Sequence, residues 1–383
     1  MLELDGHLEF NPARDAEFFS ALPPRPAVCL LLPSDPAAEP LLIRTADLRR
    51  RLQRLLGPPD PASKRLNLRA IAGAVRYRLT GSAFEQTLTY YEHARKLLPA
   101  RYRDLMRLRA PAVLKLSLRS AYPRCYVTRR VPPVVHGAIA GSACYGPFPS
   151  RRAALAFAER VLEFFKVRRC QIKIRRDPQF PGCLYSEMKM CLAPCFAGCT
   201  QEEYDAEVTR LEQFLDSNGD SLRAAIEQER EQASQALDFE RAAALHKRLD
   251  KLDAAYRGHP ELIRRLPEIH ALILQRAAEP QTVAAFPVRG GRIAEPFFLR
   301  FGESAEDTQA AEQLFRQQLA EENRPEQPAD ISEHLSLLAR WFYANPRQGE
   351  ILFRGQDWPY RRILRACARL LKEEKTAGGE TQP

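Results

Sequence analysis

Short apolar runs separated by turn residues dominate the first third of the chain. The runs at 27–32, 41–43 and 75–79 have the length and composition of buried strands. Apolar residues recur at helical spacing in 47–56, which also has a strongly basic face, and in 84–98, which Pro99 closes. The pattern therefore predicts the order strand, strand, helix, strand, helix.

The rest of the chain alternates between strand and helix patterns and ends in a polar segment. The last dozen residues are expected to be disordered because they are polar. Segregated strands and helices over this length indicate an α+β fold with several domains. The predicted elements are strands at 112–118 and 124–128, a helix at 150–165, helices over 201–256 with breaks near 218–219 and 237–238, two strands in 283–301 around the turn at 289–292, and helices at 308–322 and 331–343.

Charge is distributed unevenly along the chain, whose formal net charge is +10. Residues 95–176 contain 20 Lys and Arg against 3 acids, whereas residues 201–253 contain 14 acids and 7 bases. A basic block followed by an acidic helical block predicts one surface for nucleic acid and another for a protein partner. The alternative is that both are ordinary solvated faces.

No part of the sequence has the character of a membrane or export segment. No apolar run approaches the ~20 residues that span a bilayer, and residues 1–10 carry acids where a signal peptide carries base. We therefore expect a cytoplasmic protein without a membrane partner.

Nine cysteines are many for a protein expected to be cytoplasmic, and their odd number argues against a disulfide framework. Four are scattered and are expected to be small buried residues: Cys29, Cys125, Cys144 and Cys367. The other five lie within thirty residues, in the pattern Cys170-x12-Cys183-x7-Cys191-x3-Cys195 with Cys199 four residues further. This spacing leaves an iron–sulfur cluster and a structural zinc ion about equally supported.

Basic residues surround the first of these cysteines. Their charge favours thiolates and would place a metal centre beside a phosphate backbone. The candidates for phosphate contacts are Lys166, Arg168, Arg169, Arg175 and Arg176.

Two segments carry a resemblance to a known family. Residues 145–150 (YGPFPS), followed by a helix and the cysteine pattern, and residues 123–130 (PRCYVTRR), resemble the UvrC family of bacterial excision-repair excinucleases. The resemblance implies a [4Fe–4S] cluster held by Cys170, Cys183, Cys191 and Cys195, with zinc as the alternative. Cys199 lies outside the family pattern.

The helical segment after the cysteines predicts a hairpin with one apolar face, which either docks on a partner helix pair or packs in a core. Residues 238–243 (DFERAA) are similar to the UVR motif of UvrB and UvrC. The resemblance implies UvrB as a partner, with the contact residues Phe239, Ala242, Leu245 and Leu249.

The first region resembles a degenerate GIY-YIG nuclease domain. Cys29 and Leu42 stand where the family has its signature tyrosines, and Tyr90 stands where it has a metal-binding glutamate. Arg51 matches the family arginine, and Glu92 lies two residues from the glutamate position, about 200° around a helix. Arg51 and Glu92 are the remaining catalytic candidates, and Mg²⁺ or Mn²⁺ is expected only if they act.

The resemblance implies a DNA-damage and SOS-response protein that binds DNA and UvrB. With the nuclease signature replaced and no RNase H-like domain expected, the predicted role is an accessory paralogue without full incision activity. The alternatives are a single-incision structure-specific endonuclease and a zinc-stabilised nucleic-acid-binding protein. The predicted domains are 20–105 (degenerate nuclease), 106–200 (basic cysteine module), 201–257 (UVR hairpin), 258–345 (linker domain) and 346–383 (tail).

Overall fold

The computed structural model describes residues 2–59, 62, 65–134, 138–302, 305–320 and 331–377. In this part of the chain three sheets are combined with helices, and the strand pairs in each sheet are antiparallel. The predicted α+β class is confirmed. None of the helices described is both long and apolar enough to cross a membrane.

The first sheet has helices on both faces. Its elements are β1 (Gly6–Glu9), α1 (Asp15–Ala21), β2 (Ala27–Pro33), β3 (Leu41–Thr45), α2 (Leu48–Leu56), β4 (Ala72–Leu79) and α3 (Ala83–Leu97). The strand order is β1-β4-β2-β3. Because side chains alternate across a strand, Ala27, Cys29 and Leu31 pack with α1 and α2, whereas Val28 and Leu30 pack with α3. The predicted element order is confirmed, but the predicted boundary at residue 20 is wrong because β1 pairs with β4.

The second sheet supports the cysteine segment and the helices that follow it. Its strand order is β6-β5-β7-β8. Left-handed backbone at Asn218, Gly219 and Leu237 separates the three long helices, which confirms both predicted breaks. The elements of this region are α4 (Tyr102–Leu105), β5 (Ala112–Ser117), β6 (Cys125–Thr128), β7 (Ser142–Phe148), α5 (Arg151–Leu162), α6 (Leu184–Glu187), α7 (Gln201–Asp216), α8 (Asp220–Gln235), α9 (Phe239–Tyr256) and β8 (Arg264–Arg265).

The third sheet includes residues that the sequence pattern assigned to a tail. Its elements are β9 (Ala271–Arg276), β10 (Thr282–Arg289), β11 (Arg292–Ile293), β12 (Phe297–Arg300), α10 (Ala305–Ala320), α11 (Ser332–Phe342), β13 (Glu350–Phe353) and α12 (Tyr360–Ala377). The strand order is β11-β10-β9-β13, and β12 also pairs with β10. The predicted tail of 346–383 is therefore wrong up to residue 377, because β13 pairs with β9 and α12 buries Ile363, Ala366 and Cys367. Residues 378–383 and the predicted end of the helix at 321–322 lie outside the described residues.

Helix α3 joins the first sheet to the third. Phe84 is 4% exposed and meets Phe286 edge to face, with ring centroids 5.2 Å apart, and Trp341 at 5.4 Å. Close to the start of the helix, a Cβ atom at Gly81 would overlap the backbone of Ala277, so the two chain segments can approach only because residue 81 is glycine. One apolar core thus draws side chains from all three sheets.

A single carboxylate reinforces this junction. Glu333 of α11 accepts hydrogen bonds from the hydroxyls of Tyr91 and Tyr102, both at 2.7 Å, and from Nε of Arg103 at 2.5 Å. Burial would raise the pKa of Glu333, but these hydrogen bonds outweigh it and hold the pKa below its usual range. The stabilisation is therefore present at neutral pH and is lost as the pH falls through the lowered pKa.

The shared core predicts a large effect of one truncation. Phe84→Ala should lower the free energy of unfolding by about 3–5 kcal/mol, because the cavity would open between two sheets. Chemical denaturation would measure it, with Phe239→Ala as the control, since that ring is 69% exposed and its loss should change stability by less than about 0.5 kcal/mol. A similarly small loss for Phe84→Ala would show that α3 does not couple the two sheets.

Candidate functional site

The first sheet carries the two positions predicted to replace signature tyrosines, Cys29 and Leu42, on opposite faces. Cys29 is fully buried beneath α2, and burial raises the pKa of its thiol to about 12. Leu42 packs on the other side, in the core that α3 shares with the third sheet. A pocket on one face of the sheet could therefore include only one of them.

The two catalytic candidates are separated in the same way. Arg51 lies on α2, near Cys29, and its Nε atom is buried without a hydrogen-bond partner among the described residues. Glu92 lies on α3, across the sheet, where it accepts a hydrogen bond of 2.9 Å from the backbone N–H of Leu2. The sheet thus stands between the cation and the carboxylate.

Helix α3 also carries Glu85, Tyr90 and Tyr91, and each of these side chains interacts with another residue of the protein. Glu85 is 1% exposed and accepts a hydrogen bond from the Gly81 amide, with Arg78 at 3.5 Å. Burial raises the pKa of Glu85, so this carboxyl is a poor ligand for a divalent ion. Tyr90 stacks with Arg44, whose guanidinium lies 5.6 Å from the ring centroid, and Tyr91 donates to Glu333.

Four cysteines of the predicted set lie near one another in the segment between α5 and α7. Cys191 lies close enough to Cys170, Cys183 and Cys195 for these thiols to raise its pKa, which reaches about 11 chiefly through burial. The Ala193 amide donates to Cys191 Sγ at 3.3 Å. In the described part of the chain no three His, Cys, Asp or Glu side chains meet at the distances of a single metal ion.

The chain winds tightly around these sulfurs. Ala193 and Ala197 adopt left-handed backbone, with φ of 57° and 62°, on either side of a short turn that contains Cys195. Cys183 begins the single turn of α6, where its backbone N–H donates to the Ser186 hydroxyl at 2.9 Å. Such turns bring sulfurs that are distant in sequence to one place without a regular element.

The fifth cysteine of the segment belongs to a different environment. Cys199 is 7% exposed and packs in the core of the second sheet, just before α7. Of the other four cysteines, only Cys195 acts on the pKa of its thiol. The scattered Cys29, Cys125, Cys144 and Cys367 are all buried, as predicted.

The five basic candidates divide into two groups. Arg168 is 7% exposed; its Nε donates to the Tyr122 carbonyl at 2.8 Å and its Nη1 to the Ile172 carbonyl at 2.9 Å. Arg169 is half-buried and donates to the Leu162 carbonyl at 2.7 Å. These two were predicted as phosphate contacts, but their positions are structural because backbone carbonyls already bind them.

The remaining three basic side chains are exposed: Lys166, Arg175 and Arg176. Lys173 and Lys189 are also exposed on this segment, although the latter was not singled out from the sequence. The accessible cations therefore lie on the same segment of the chain as the cysteines.

The hairpin of α8 and α9 presents only part of its apolar face. Leu245 and Leu249 were predicted to contact a partner. They are only 8% and 7% exposed and belong to the core of the second sheet, so a partner cannot reach them. Ala242 is half-buried against the same core. Phe239 is 69% exposed at the turn, beside Leu237 at 72%, which the helical pattern did not identify because it lies in the break itself.

Comparison with known proteins places this region in a family. Residues 112–214, which include the four cysteines, match the UvrC/Cho excinuclease middle domain. The chain is 30% identical to UvrABC system protein C of Chlamydia caviae over 192 residues, which are 49% of this chain and 31% of that protein. The identity to UvrABC system protein C of Chlamydia trachomatis serovar D is 32% over 194 residues, 50% of this chain and 32% of that protein. No solved structure matches the chain.

Residues 112–214 thus carry a domain of the UvrC/Cho type, and about half of the chain is similar to UvrC-family proteins. This confirms the resemblance drawn from residues 123–130, residues 145–150 and the cysteine pattern. The chain spans about a third of the length of the curated relatives it matches.

Proposed function

We propose that the protein is a nucleotide excision repair factor that binds DNA and UvrB and lacks full incision activity. The observation that carries the proposal is the UvrC/Cho middle domain at residues 112–214, in which exposed cations are interspersed in sequence with four cysteines. Similarity of half the chain to UvrABC system protein C supports a role in excision repair. The partners and the accessory role rest on the geometry discussed below.

The four cysteines are proposed to hold a [4Fe–4S] cluster. Thiolates brought this close together repel one another, so a positively charged centre would stabilise the deprotonated set. The Ala193 amide already donates to a sulfur, as amides do around iron–sulfur clusters. We therefore propose Cys170, Cys183, Cys191 and Cys195 as the ligands, and the bound cluster would draw their sulfurs closer together and fix the loops of residues 163–200. A structural zinc ion remains the alternative.

DNA is proposed to bind along the exposed cations of this module. Guanidinium and ammonium groups neutralise phosphates without reading the base sequence. Lys166, Arg175 and Arg176 have no carboxylate partner within 4 Å among the described residues, so they are free to do so. Arg168 instead holds the loop that presents them.

UvrB is proposed to contact the tip of the hairpin. Leu237 and Phe239 are more than two-thirds exposed, which is unusual for large apolar residues so close together. The Asp238 carboxylate accepts from the Arg241 amide at 3.0 Å and fixes the start of α9 between them. The buried Leu245 and Leu249 hold the hairpin on the second sheet rather than on a partner.

The absence of incision is proposed from the separation of Arg51 and Glu92. Phosphodiester cleavage needs a carboxylate-bound metal ion and a cation on the same phosphate. Here the two groups lie on helices on opposite faces of the sheet, and Glu92 is bound to the Leu2 amide. The geometry therefore disfavours the alternative of a single-incision endonuclease.

Removal of one cluster ligand should release the metal. Cys191→Ser is expected to lose most of its iron and acid-labile sulfide, measured on the purified protein, because three thiolates cannot complete the ligand set. Cys199→Ser is the matched control and should keep both, since Cys199 packs in the core. Stoichiometric zinc without iron in the wild-type protein would replace the cluster by the zinc alternative.

Removal of two exposed arginines should weaken DNA binding in a salt-dependent way. Arg175→Gln with Arg176→Gln should reduce the slope of log affinity against log salt by about 1.8, because each lost duplex phosphate contact contributes about 0.9. Fluorescence anisotropy over a salt series measures it. The control is Arg361→Gln with Arg362→Gln on α12, which removes the same charge from exposed positions elsewhere. Equal slopes in both double variants would contradict the assigned surface.

Removal of the exposed apolar pair should weaken UvrB binding. Leu237→Ala with Phe239→Ala is expected to reduce the affinity at least about 30-fold, the effect of losing a central apolar contact worth about 2 kcal/mol. Calorimetric titration with UvrB measures it, and Leu66→Ala, at a position 61% exposed, is the control. Unchanged affinity would exclude the hairpin tip.

The same protein should not nick damaged supercoiled plasmid when UvrA, UvrB, ATP and Mg²⁺ are supplied. Nicking that disappears in both Arg51→Gln and Glu92→Gln would overturn the accessory role and establish a nuclease with a rebuilt site.

A further inference from the structure

A polar pocket lies where the segment after α4 meets the start of α11. Its volume is about 160 Å³, roughly ten times the ~15 Å³ that one water needs by the same kind of measure. Its polar lining consists of Arg103, Arg109, Ser332, Glu333 and Ser336. The pocket is separate from the cysteine segment and from the hairpin tip.

The single acid in the pocket already has its partners. Both oxygens of Glu333 accept hydrogen bonds, one from Tyr91 and the other from Tyr102 and Arg103. Its charge is therefore balanced within the wall. Because Arg103 uses Nε for this contact, its two terminal nitrogens have no hydrogen bond to the described residues.

Two further donors in the pocket lack a protein partner. Ser336 is 7% exposed, and its hydroxyl makes no hydrogen bond within the described part of the chain. Arg109 lines the same pocket and forms no ion pair with any described carboxylate. Because the Ser336 residue lines the pocket and its hydroxyl is not committed to a described partner, this hydroxyl can donate to a ligand that accepts a hydrogen bond.

The surroundings of the pocket are also basic. Arg107 lies between Arg103 and Arg109 in sequence, and the guanidinium of Arg340 is fixed next to it by the carbonyls of Met106 and Arg107 at 3.1 and 3.0 Å. Such an environment attracts an anion and excludes a cationic ligand.

We propose that this pocket binds a phosphate monoester, carried either by the end of a nucleic-acid strand or by a free nucleotide. A terminal phosphate offers three acceptor oxygens and nearly two negative charges. Those oxygens match the free nitrogens of Arg103 and Arg109 and the hydroxyl of Ser336, and guanidinium binds phosphate in a bidentate way. An internal phosphodiester has only two free oxygens and one charge, so it satisfies fewer of these donors.

This inference is independent of the proposed excision-repair function, because neither UvrB nor the cysteine cluster contributes to the pocket. Its test uses the full chain with four probes: a single-stranded oligonucleotide with a terminal phosphate at the 5′ or 3′ end, the same oligonucleotide with hydroxyl ends, and adenosine monophosphate. Affinities are measured by anisotropy or calorimetry for the wild type, Arg109→Gln, Ser336→Ala and the control Arg361→Gln.

If a strand end is the ligand, a phosphorylated oligonucleotide should bind about tenfold more tightly than the hydroxyl form. Arg109→Gln should abolish that preference and Ser336→Ala should reduce it, whereas Arg361→Gln should keep it. If a free nucleotide is the ligand, adenosine monophosphate should bind and Arg109→Gln should weaken it about tenfold, without an end preference in the oligonucleotides. No end preference together with no nucleotide binding, or equal effects of Arg109→Gln and Arg361→Gln, would overturn the proposal.

Discussion

The packing of α3 between two sheets is the constraint on which the rest of the structure depends. One face of the helix covers the first sheet, and Phe84 extends beyond it to Phe286 and Trp341 of the third region. Glu333 then adds three hydrogen bonds at the same junction. Because side chains of the third region fill this side of α3, the face of the first sheet that carries Leu42 is closed by packing.

Local patterns predicted the elements well and the long-range assembly poorly. Apolar spacing identified β2, β3, α2, β4 and α3 in order, and left-handed residues fell at both predicted breaks of the helical segment. The same reasoning missed β9 and assigned β13 and α12 to a tail. Pairing of β13 with β9 joins residues about 80 positions apart, and no local period encodes such a pairing.

In the candidate site, too, sequence predicted local features better than long-range contacts. Cysteine spacing and family resemblance identified four thiols that lie near enough to affect one another electrostatically, and their role as metal ligands stays a prediction. Sequence could not distinguish Arg168 from Arg175, because burial of Arg168 depends on carbonyls from Tyr122 and Ile172 that lie on different segments. The same limit applies to the hairpin of α8 and α9. Helical spacing correctly placed Leu245 and Phe239 on one face, but Leu245 is buried only because it packs in the core of the second sheet, a contact that the spacing does not encode.

The position of α3 also affects how the chain is made. During synthesis Phe84 has no contact with Phe286 until that residue follows, roughly 200 residues later. At ~5–20 residues per second that interval is on the order of 10–40 s. The N-terminal sheet of the nascent chain therefore exposes this ring for the whole of that interval, which is a hazard for aggregation during translation.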